Sequence, residues 1–533
     1  MVIQYKRLMK GVAAIAAGAY ISEADASDKP NIVFILADDM GIGDVSGLNK
    51  DSKIQTPNLD RMIKSGMTFT DAHTSSSVCT PSRYGIITGR YCWRSRLKGR
   101  VLSGYSPSLI PLERETVASM LKKNGYNTAM IGKWHLGITW QKKDGSVYSD
   151  LKVDSAKAEK EIDFQKPIKV GPYQLGFDYF IGPAASWDMP PYAFIKNDKL
   201  EYSELVQHSG HIYPEPKEVV EAKEKGVKGK ELSELRKQFP KAAWRPGLKD
   251  KNMRATDAVP KLAELTEKYI SDYSSDKPFF LYLPITAPHT PVVPNKEFLG
   301  KSRAGIYGDF VTEIDWFVGK VLKALKEKGV YDNTLLIFSA DNGYSAKAFP
   351  NSRKEKYKHN PSYIYAGCKC RLTEGGHRVP FIVTWPGVVK ADTKNSDLIS
   401  LMDFYATCAD IVGAKIADNR AEDSYSFLAE LKGNGRSKRD SIIHQDFSGY
   451  LGIRKGDWKL LFSKNSKKVS LYNLKDDIGE TKNLVKTNPE KVKELTNAIT
   501  KIVNDGRSTP GEKLQNDGSK WWEQLNWIEK TNQ

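Results

Sequence analysis

Residues 31–40 read NIVFILADDM, and this stretch sets the fold that the rest of the chain must fit. An almost wholly apolar run with several branched side chains ends abruptly in Asp38 and Asp39. A continuous run of this kind is typical of a strand that is buried on both faces of a parallel sheet. The stretch therefore predicts a central strand with two carboxylates at its carboxyl end.

Three later apolar runs end in polar residues in the same way. They are NTAMIGKWHLG (127–137), with Lys133 and His135; PFFLYLPITAPHTP (278–291), with His289; and NTLLIFSADNG (333–343), with Asp341 and Asn342. Helical patterns lie between them, at 56–66, 115–125 and 308–329. Strands that alternate with helices predict an α/β fold, with a large mixed, mostly parallel sheet sandwiched by helices.

The pattern changes after about residue 415. Short alternating strands are predicted at 440–447, 450–462 and 468–474, and a helix is predicted near 489–506. These elements predict a smaller α+β subdomain with an antiparallel sheet. The predicted organisation is a main domain over 28–415 and a C-terminal subdomain over 416–533, with charged inserts at 141–170 and 215–242.

The first residues have the layout of a secretory signal peptide. Basic residues precede the apolar run GVAAIAAGAY (11–20), and Ala24-Asp25-Ala26 offers a cleavage site. We expect residues 1–26 to be this signal and the protein to be exported, either to the periplasm or out of the cell. No later stretch approaches 18 uninterrupted apolar residues, so no membrane span is expected.

The chain of 533 residues carries a formal net charge of +17. Such a charge on an exported protein favours a polyanionic partner, either nucleic acid or a sulfated or uronic polysaccharide, although a generally basic surface is the alternative. The chain has no zinc-finger spacing and no aromatic-basic RNA motif, so we expect no nucleic-acid partner.

The polar strand ends should meet at one edge of the sheet, because ligands of open α/β sheets bind at the carboxyl ends of the strands. Asp38, Asp39, Asp341 and Asn342 offer only oxygen ligands, which suit Ca²⁺ or Mg²⁺ better than zinc. A turn or helix cap is the alternative for either pair alone. The sequence GIGDVSG (41–47) only loosely resembles a dinucleotide loop, and no nucleotide cofactor is expected.

Two histidines stand at strand exits and are candidates for acid–base chemistry near neutral pH. His135 follows Lys133 at a spacing that places both side chains on one side of an extended chain, as an anionic group would require. His289 precedes Thr290 and Pro291. Surface or packing roles are expected for the remaining six, which are His73, His208, His211, His359, His377 and His444.

Cys79 is the most unusual of five cysteines, the others being Cys92, Cys368, Cys370 and Cys408. It opens the run Cys79-Thr80-Pro81-Ser82-Arg83. From these residues alone Cys79 is a structural thiol, a zinc ligand, half of a disulfide or a nucleophile that Arg83 assists. Most of the other cysteines are expected to be free thiols.

The motif C-T-P-S-R at 79–83, with T-G-R at 88–90, resembles the signature of the formylglycine-dependent sulfatases. These are relatives of arylsulfatases and N-acetylgalactosamine-6-sulfatases within the alkaline phosphatase superfamily. Further stretches resemble motifs of that family and occur in the family's order: NIVFILADDMGIGD, TPNLDRM, GKWHLG, APHTP, SADNG and EGGHRVPFIVTWPG. The ending LYNLKDDIGETKNL resembles the family's C-terminal subdomain.

The resemblance implies that a maturation enzyme oxidises Cys79 to formylglycine, whose hydrate is the nucleophile. It implies one Ca²⁺ held by Asp38, Asp39, the modified Cys79, Asp341 and Asn342. Arg83 would support the nucleophile, Asp341 would take its proton, and His289 would protonate the leaving oxygen. Lys133 and His135 would contact formylglycine and sulfate, as would Lys369, which lies five residues before Glu374.

The resemblance also implies a sulfated carbohydrate substrate, of algal or glycosaminoglycan type. A phosphohydrolase of the same superfamily is one alternative, although it would normally carry a Ser or Thr nucleophile and two zinc ions. A sulfated-glycan-binding protein that has lost turnover is the other.

Overall fold

The fold is described from a computed structural model that covers residues 29–210, 217–237, 245–463, 468–519 and 521–528. The predicted signal peptide and His211 lie outside these residues. No helix in the described part of the chain has the length and apolarity needed to cross a membrane.

The strands are numbered in chain order. They are β1 (Asn31–Ala37), β2 (Met67–Phe69), β3 (Ala72–His73), β4 (Asn127–Ile131), β5 (Tyr179–Gly182), β6 (Phe194–Lys196), β7 (Lys199–Glu201), β8 (Leu205–His208), β9 (Gly247–Asp250), β10 (Phe279–Pro284), β11 (Thr334–Ala340), β12 (Phe381–Thr384), β13 (Thr393–Asn395), β14 (Ile399–Ser400), β15 (Ser441–Gln445), β16 (Leu451–Lys455), β17 (Trp458–Phe462) and β18 (Val469–Asn473).

The helices are numbered in the same way. They are α1 (Pro57–Ser65), α2 (Cys79–Thr88), α3 (Val117–Lys123), α4 (Ser155–Glu161), α5 (Lys217–Glu224), α6 (Gly229–Lys237), α7 (Ala258–Asp272), α8 (Gly305–Glu327), α9 (Asn351–Tyr357), α10 (Glu374–His377), α11 (Phe404–Val412), α12 (Leu428–Leu431) and α13 (Pro489–Asp505).

The main sheet has ten strands among the described residues, in the order β13-β2-β12-β11-β1-β10-β4-β5-β6-β7. Its centre, β11-β1-β10-β4, is parallel throughout, and β5 continues it. The four apolar runs of the sequence form this centre, and every residue of β1, β10 and β11 is buried. The predicted α/β fold with a mostly parallel sheet is confirmed.

Helices cover the sheet and close its core. Helix α8 contacts both α1 and α7, and α7 also contacts β4. Helices α2, α3 and α11 form a mutually contacting set, in which Phe404 of α11 packs edge-on against Phe34 of β1 with ring centroids 4.9 Å apart. The core therefore lies along the apolar strands, and Asp38 and Asp341 are buried where β1 and β11 end.

The C-terminal sheet is antiparallel in the order β15-β16-β17-β18, and α13 packs on β16 and β17. The predicted single strand over 450–462 is wrong in detail, because Gly456 at φ 55° turns the chain between β16 and β17. Two hydrogen bonds join β15 of this sheet to the segment before α2. Ser77 N donates to Gln445 O (2.9 Å), and Gln445 N donates to Ser75 O (3.1 Å). The predicted boundary at residue 415 stays a prediction.

A buried ion pair fastens the segment after α2 to the C-terminal part of the chain. Asp423 accepts hydrogen bonds from Arg94 Nε (2.8 Å), Arg94 Nη2 (2.9 Å) and Ser508 N (2.9 Å). Burial alone would raise the pKa of Asp423, but the Arg94 guanidinium outweighs it and holds that pKa below its ordinary value.

We predict that Asp423→Ala destabilises the fold by about 3–5 kcal/mol, because it leaves the Arg94 charge buried without its partner. The measurement is the thermal unfolding midpoint, which should fall clearly below that of the unchanged protein.

Glu204→Ala is the matched control. Its partner is Lys251, at 2.9 Å, but more than half of each side chain is exposed, so a loss of about 0.2–1 kcal/mol is expected. Because the folded-state pKa of Asp423 is depressed, its stabilising effect is present at neutral pH and is lost as the pH falls through that pKa. Equal effects of the two substitutions on the unfolding midpoint would contradict the conclusion that the buried Arg94–Asp423 pair stabilises the fold.

Candidate active site

The register of the central strands brings their carboxyl ends together. Ala37 of β1 pairs with Ala340 of β11, so Asp38 and Asp341 leave the sheet side by side. Asp39 N donates to Asp341 Oδ1 at 3.2 Å, and Asn342 Nδ2 donates to Asp39 Oδ1 at 2.8 Å. All four side chains are fully buried. The sequence predicted this convergence, and the structure places these residues in one cluster.

Cys79 lies at the first turn of α2, beside the carboxylates. Its Sγ lies 3.5 Å from Lys369 Nζ. One potential ligand atom from each of Asp38, Asp39, Cys79 and His289 falls within 4.8 Å of the others. The five cysteines are all free thiols in the structure, so the disulfide interpretation of Cys79 finds no partner among the described residues.

Three cations match the three buried carboxylates. Arg83, one turn along α2 from Cys79, donates from Nε to Asp341 Oδ2 at 2.9 Å. Lys133 Nζ lies 2.6 Å from Asp38 Oδ2, and Lys369 Nζ lies 2.6 Å from Asp39 Oδ1. Because these groups are almost wholly excluded from water, each charge depends on its partner.

The pKa values of Asp341 and Asp38 are shifted in opposite directions. Burial raises the pKa of Asp341, and the Asp38 charge raises it further. Burial acts in the same direction on Asp38, but Lys133 and His289 outweigh it and the pKa of Asp38 is lowered. Asp341 is thus the more basic member of the pair, as proton abstraction requires.

The Cys79 thiol is unreactive as it stands. Burial raises its pKa to about 12, against the lowering effect of Lys133 and Lys369. A thiol with that pKa is protonated at neutral pH, whereas nucleophilic cysteines are thiolates. The surroundings of Cys79 therefore do not favour a cysteine nucleophile.

The donor set fits a hard cation. Asp38 Oδ1 and Asn342 Oδ1 are buried, and neither has a hydrogen-bond partner among the described residues. Arg83 Nη2 lies 3.8 Å from Asp38 Oδ1, beyond hydrogen-bond distance. Orphaned buried oxygens are costly, and an oxygen-binding cation would satisfy both of them.

The two predicted histidines lie on the cluster in different ways. His135 is buried, its Nε2 lies 2.8 Å from Leu102 O, and burial together with the Lys133 charge lowers its pKa well below the ordinary value. His289 Nδ1 lies 2.6 Å from Thr290 O, which assigns the proton to Nδ1 and leaves Nε2, 3.7 Å from Asp39 Oδ2, as the acceptor. His289 alone of the two is poised to exchange a proton.

The backbone is held in the left-handed region at two of these residues. Asp39 has φ 66° and His135 has φ 60°. Such conformations cost of order 1 kcal/mol for residues other than glycine and concentrate at functional sites. Here they turn the chain sharply at the strand ends, which directs both side chains into the cluster.

A cavity of about 450 Å³ opens over the cluster, and Cys79, His135, His289 and Lys369 line it. A larger groove, of about 670 Å³, begins at Asn127 and Thr128, at the opposite ends of the strands, and contains none of the predicted site residues. The smaller cavity is therefore the candidate active site.

Sequence reasoning missed the outer walls of this cavity. Residues of distant loops complete it; they include Asp188, Arg245, Lys347, Arg371, Asp446 and Phe447. These residues follow no periodic pattern and share no motif, so their proximity depends on the tertiary fold alone.

A second buried polar cluster lies behind the site. His73, His377 and His444 are fully buried, with His73 Nδ1 and His377 Nδ1 3.0 Å apart and the rings of His377 and His444 stacked at 3.4 Å. Glu374 pairs there with Lys459 at 2.8 Å. The packing role expected for these histidines holds, and the cluster connects β3, α10 and the C-terminal sheet.

Comparison with known proteins gives the family. The sulfatase family model matches residues 30–414, and a model described as the C-terminal part of N-sulphoglucosamine sulphohydrolase matches residues 369–508. A relative from Bacteroides thetaiotaomicron, named N-acetylgalactosamine-6-O-sulfatase, is 32% identical over 503 residues, which cover 89% of this chain and 93% of the relative.

Solved structures agree with this assignment. A chain solved in work on the metabolism of multiple glycosaminoglycans by Bacteroides thetaiotaomicron aligns with a TM-score of 0.74 and 30% identity, covering 89% of this chain and 99% of that one. The crystal structure of Ps i-CgsB in complex with k-i-k-neocarrahexaose aligns with a TM-score of 0.65 and 26% identity, covering 95% and 99%. The chain therefore belongs to the sulfatase family and is a sulfuric ester hydrolase.

Proposed function

We propose that the protein is an exported sulfatase that hydrolyses sulfate esters of carbohydrates, with formylglycine at position 79 and one Ca²⁺. The observation that carries this proposal is the position of Cys79. Its side chain lies between Lys369 and a cluster of buried carboxylates with unsatisfied oxygens, at the floor of an open cavity.

A carbohydrate substrate is supported by the relatives and by charge. The Bacteroides relative is named for a sulfated amino sugar, and Ps i-CgsB was crystallised with a neocarrahexaose. The net charge of +17 favours a polyanionic substrate through long-range attraction. The sulfatase family match disfavours the phosphohydrolase alternative.

Calcium is supported by the chemistry of the ligands. Asp38, Asp39, Asp341 and Asn342 would hold it through oxygens only, as Ca²⁺ prefers. When bound, it would withdraw charge from the oxygens of the sulfuryl group and of residue 79. Arg83 and the two lysines keep the carboxylates together and charged, so the ligand set is preorganised.

A formylglycine at position 79 would supply, as its hydrate, one hydroxyl to attack sulfur and a second through which the aldehyde is restored. The protein's own groups do the rest. Asp341, with its raised pKa, accepts a proton from the attacking hydroxyl, while Arg83 holds Asp341 in place through its Nε–H. Lys133 and Lys369 neutralise the sulfuryl oxygens as charge builds on them.

His289 completes the reaction as the imidazolium, which gives its Nε2 proton to the sugar oxygen as it leaves and keeps its Nδ1 proton. It lies at the cavity wall, and its Nδ1–H donates to Thr290 O, which fixes the ring with Nε2 towards the cluster. A sugar alkoxide is a poor leaving group, so this proton is required for carbohydrate sulfates more than for aryl sulfates.

Maturation and export belong to the same proposal. Formylglycine requires a maturation enzyme that recognises the Cys79-Thr80-Pro81-Ser82-Arg83 segment in the unfolded chain, because Cys79 is buried once the protein folds. Residues 1–26 would direct the chain to the periplasm or the medium.

Peptide mass analysis should show formylglycine at position 79. The tryptic peptide 65–83 from protein made in the native host is expected with one oxygen in place of sulfur and with two hydrogens fewer than the thiol form. Cys79→Ala should release no sulfate from carbohydrate substrates and should unfold at nearly the same temperature. An unmodified thiol in active protein would contradict the proposal.

Removal of calcium should weaken both activity and stability. After treatment with a chelator we expect the thermal unfolding midpoint to fall, because the carboxylate cluster loses the cation that binds only the folded state. Added Ca²⁺ should restore the midpoint and Zn²⁺ should not. Asn342→Ala removes one ligand, so it should raise the Ca²⁺ concentration that is needed to restore the midpoint. A midpoint that neither chelator nor Ca²⁺ changes would exclude a bound calcium.

His289→Gln tests the proton donor. We expect kcat to fall by about 10²–10⁴-fold for carbohydrate sulfates, because their alkoxide leaves unprotonated. The loss should be much smaller for nitrophenyl sulfate, whose phenolate needs no proton. Equal losses on both substrates would assign His289 to binding rather than to proton transfer.

A further inference from the structure

Two cations on the cavity wall have no role in the chemistry of sulfate release. Lys347 and Arg371 line the same cavity as Cys79, and both are exposed. Arg371 follows Lys369 by two residues, and the Lys347 charge acts on Cys370, the residue between them. Both positive groups therefore stand beside the sulfate-binding lysine.

The other cations of the cavity are paired. Lys369 Nζ contacts Asp39 at 2.6 Å, and Arg245 Nη2 lies 3.5 Å from Asp188. Within the described part of the chain, the structure records no ion pair and no side-chain hydrogen bond for Lys347 or Arg371. Neither charge has a direct partner, so both are available to an anion in the cavity.

Asp446 is the acidic residue near Arg371, but its carboxylate is already engaged. Its Oδ1 accepts hydrogen bonds from Ser448 N at 2.8 Å and from Tyr450 N at 2.9 Å, and its N donates to Tyr450 O at 3.0 Å. These bonds close the turn between β15 and β16. Burial raises the pKa of Asp446 to about 6, although Arg371 acts against this. Asp446 thus shapes the turn and leaves Arg371 without a direct partner.

The same turn presents an aromatic surface to the cavity. Phe447 is 39% exposed, although large apolar side chains are usually buried. Its carbonyl accepts from Arg100 N at 2.7 Å, and Ser448 O accepts from Gln524 Nε2 at 3.0 Å, so both sides of the turn are held in place. A fixed, half-exposed ring at the mouth of a cavity suits the apolar face of a sugar ring.

We propose that Lys347 and Arg371 form a second anion subsite, with Phe447 as the adjoining sugar platform. The proposal rests on the proposed function and names its substrate class: a saccharide that carries a second anionic group besides the sulfate ester that is hydrolysed. The Cα atoms of Lys369 and Arg371 are at most about 7 Å apart, so Arg371 can reach an anion on the sugar bonded to the sulfated one. A carboxylate and a second sulfate share this chemistry.

The test uses the full-length mature enzyme and three disaccharides with the same sulfated sugar. The neighbouring sugar is neutral in the first, carries a carboxylate in the second and carries a sulfate in the third. For the unchanged enzyme we expect kcat/KM to be about tenfold higher on at least one dianionic disaccharide than on the neutral one, as a charge-assisted contact provides. Whichever dianion is preferred identifies the source of the second charge.

Lys347→Ala and Arg371→Ala should each remove this preference, lowering kcat/KM about tenfold on the preferred dianion and little on the neutral disaccharide. Lys475→Ala is the matched control, because Lys475 is an exposed lysine of the C-terminal subdomain outside the cavity, and it should change neither. No preference in the unchanged enzyme, or equal losses on all three substrates, would overturn the subsite.

Binding separates this proposal from the catalytic one. The Cys79→Ala protein lacks the nucleophile but keeps the cavity, and titration calorimetry should show the same preference for the dianion and its loss on Arg371→Ala. If the unchanged enzyme released sulfate from none of the disaccharides, the proposed function would fail, and these binding measurements would still decide for or against the subsite.

Discussion

The site depends on one constraint: three carboxylates that the sheet forces together must each be balanced by a cation. Parallel pairing of β1 with β11 leaves Asp38 and Asp341 as neighbours, and Asp39 follows directly. Arg83, Lys133 and Lys369 supply the matching charges, each from a different element. Removing any cation would leave a buried carboxylate unpaired, which costs several kcal/mol. The same balance delivers a helix, a strand end and a loop to one point, so assembling the charges also assembles the active site.

Those residues whose position follows from a strand end could be predicted from the sequence. The runs that end in Asp38, His135, His289 and Asp341 are buried strands because they are continuously apolar, and adjacent parallel strands leave their ends at one edge. The predicted positions of Cys79, Arg83 and Lys369 came instead from the family resemblance, since no periodicity connects a helix start at 79 with a loop at 369. The structure brings all of these residues together.

The outer wall of the cavity could not be predicted in this way. Arg371 and Phe447 are 76 residues apart along the chain, and both line the cavity because the β15–β16 hairpin is fastened to the segment before α2 through Gln445. The run 450–462 has the pattern of one alternating strand, but Gly456 reverses the chain within it and forms the β16–β17 hairpin. The pattern of a single sequence indicates which residues are locally buried. The cavity wall depends instead on how the two sheets pack together, and the buried Glu374–Lys459 pair and the three histidines help to fix that packing.

The difference between the buried cluster and the exposed cavity wall has a consequence for substrate specificity. The carboxylate cluster and its cations are buried and mutually dependent, so a substitution there disturbs several partners together. Lys347, Arg371 and Phe447 are exposed, and the Asp446 turn holds its shape through hydrogen bonds that the Asp446 carboxylate accepts from Ser448 N and Tyr450 N. The cavity wall can therefore change its charge and shape without altering the catalytic cluster. Loops carry the specificity of a fold whose catalytic groups stay in place, so the proposed saccharide specificity would be set by the C-terminal hairpin and by the loops beside Lys369.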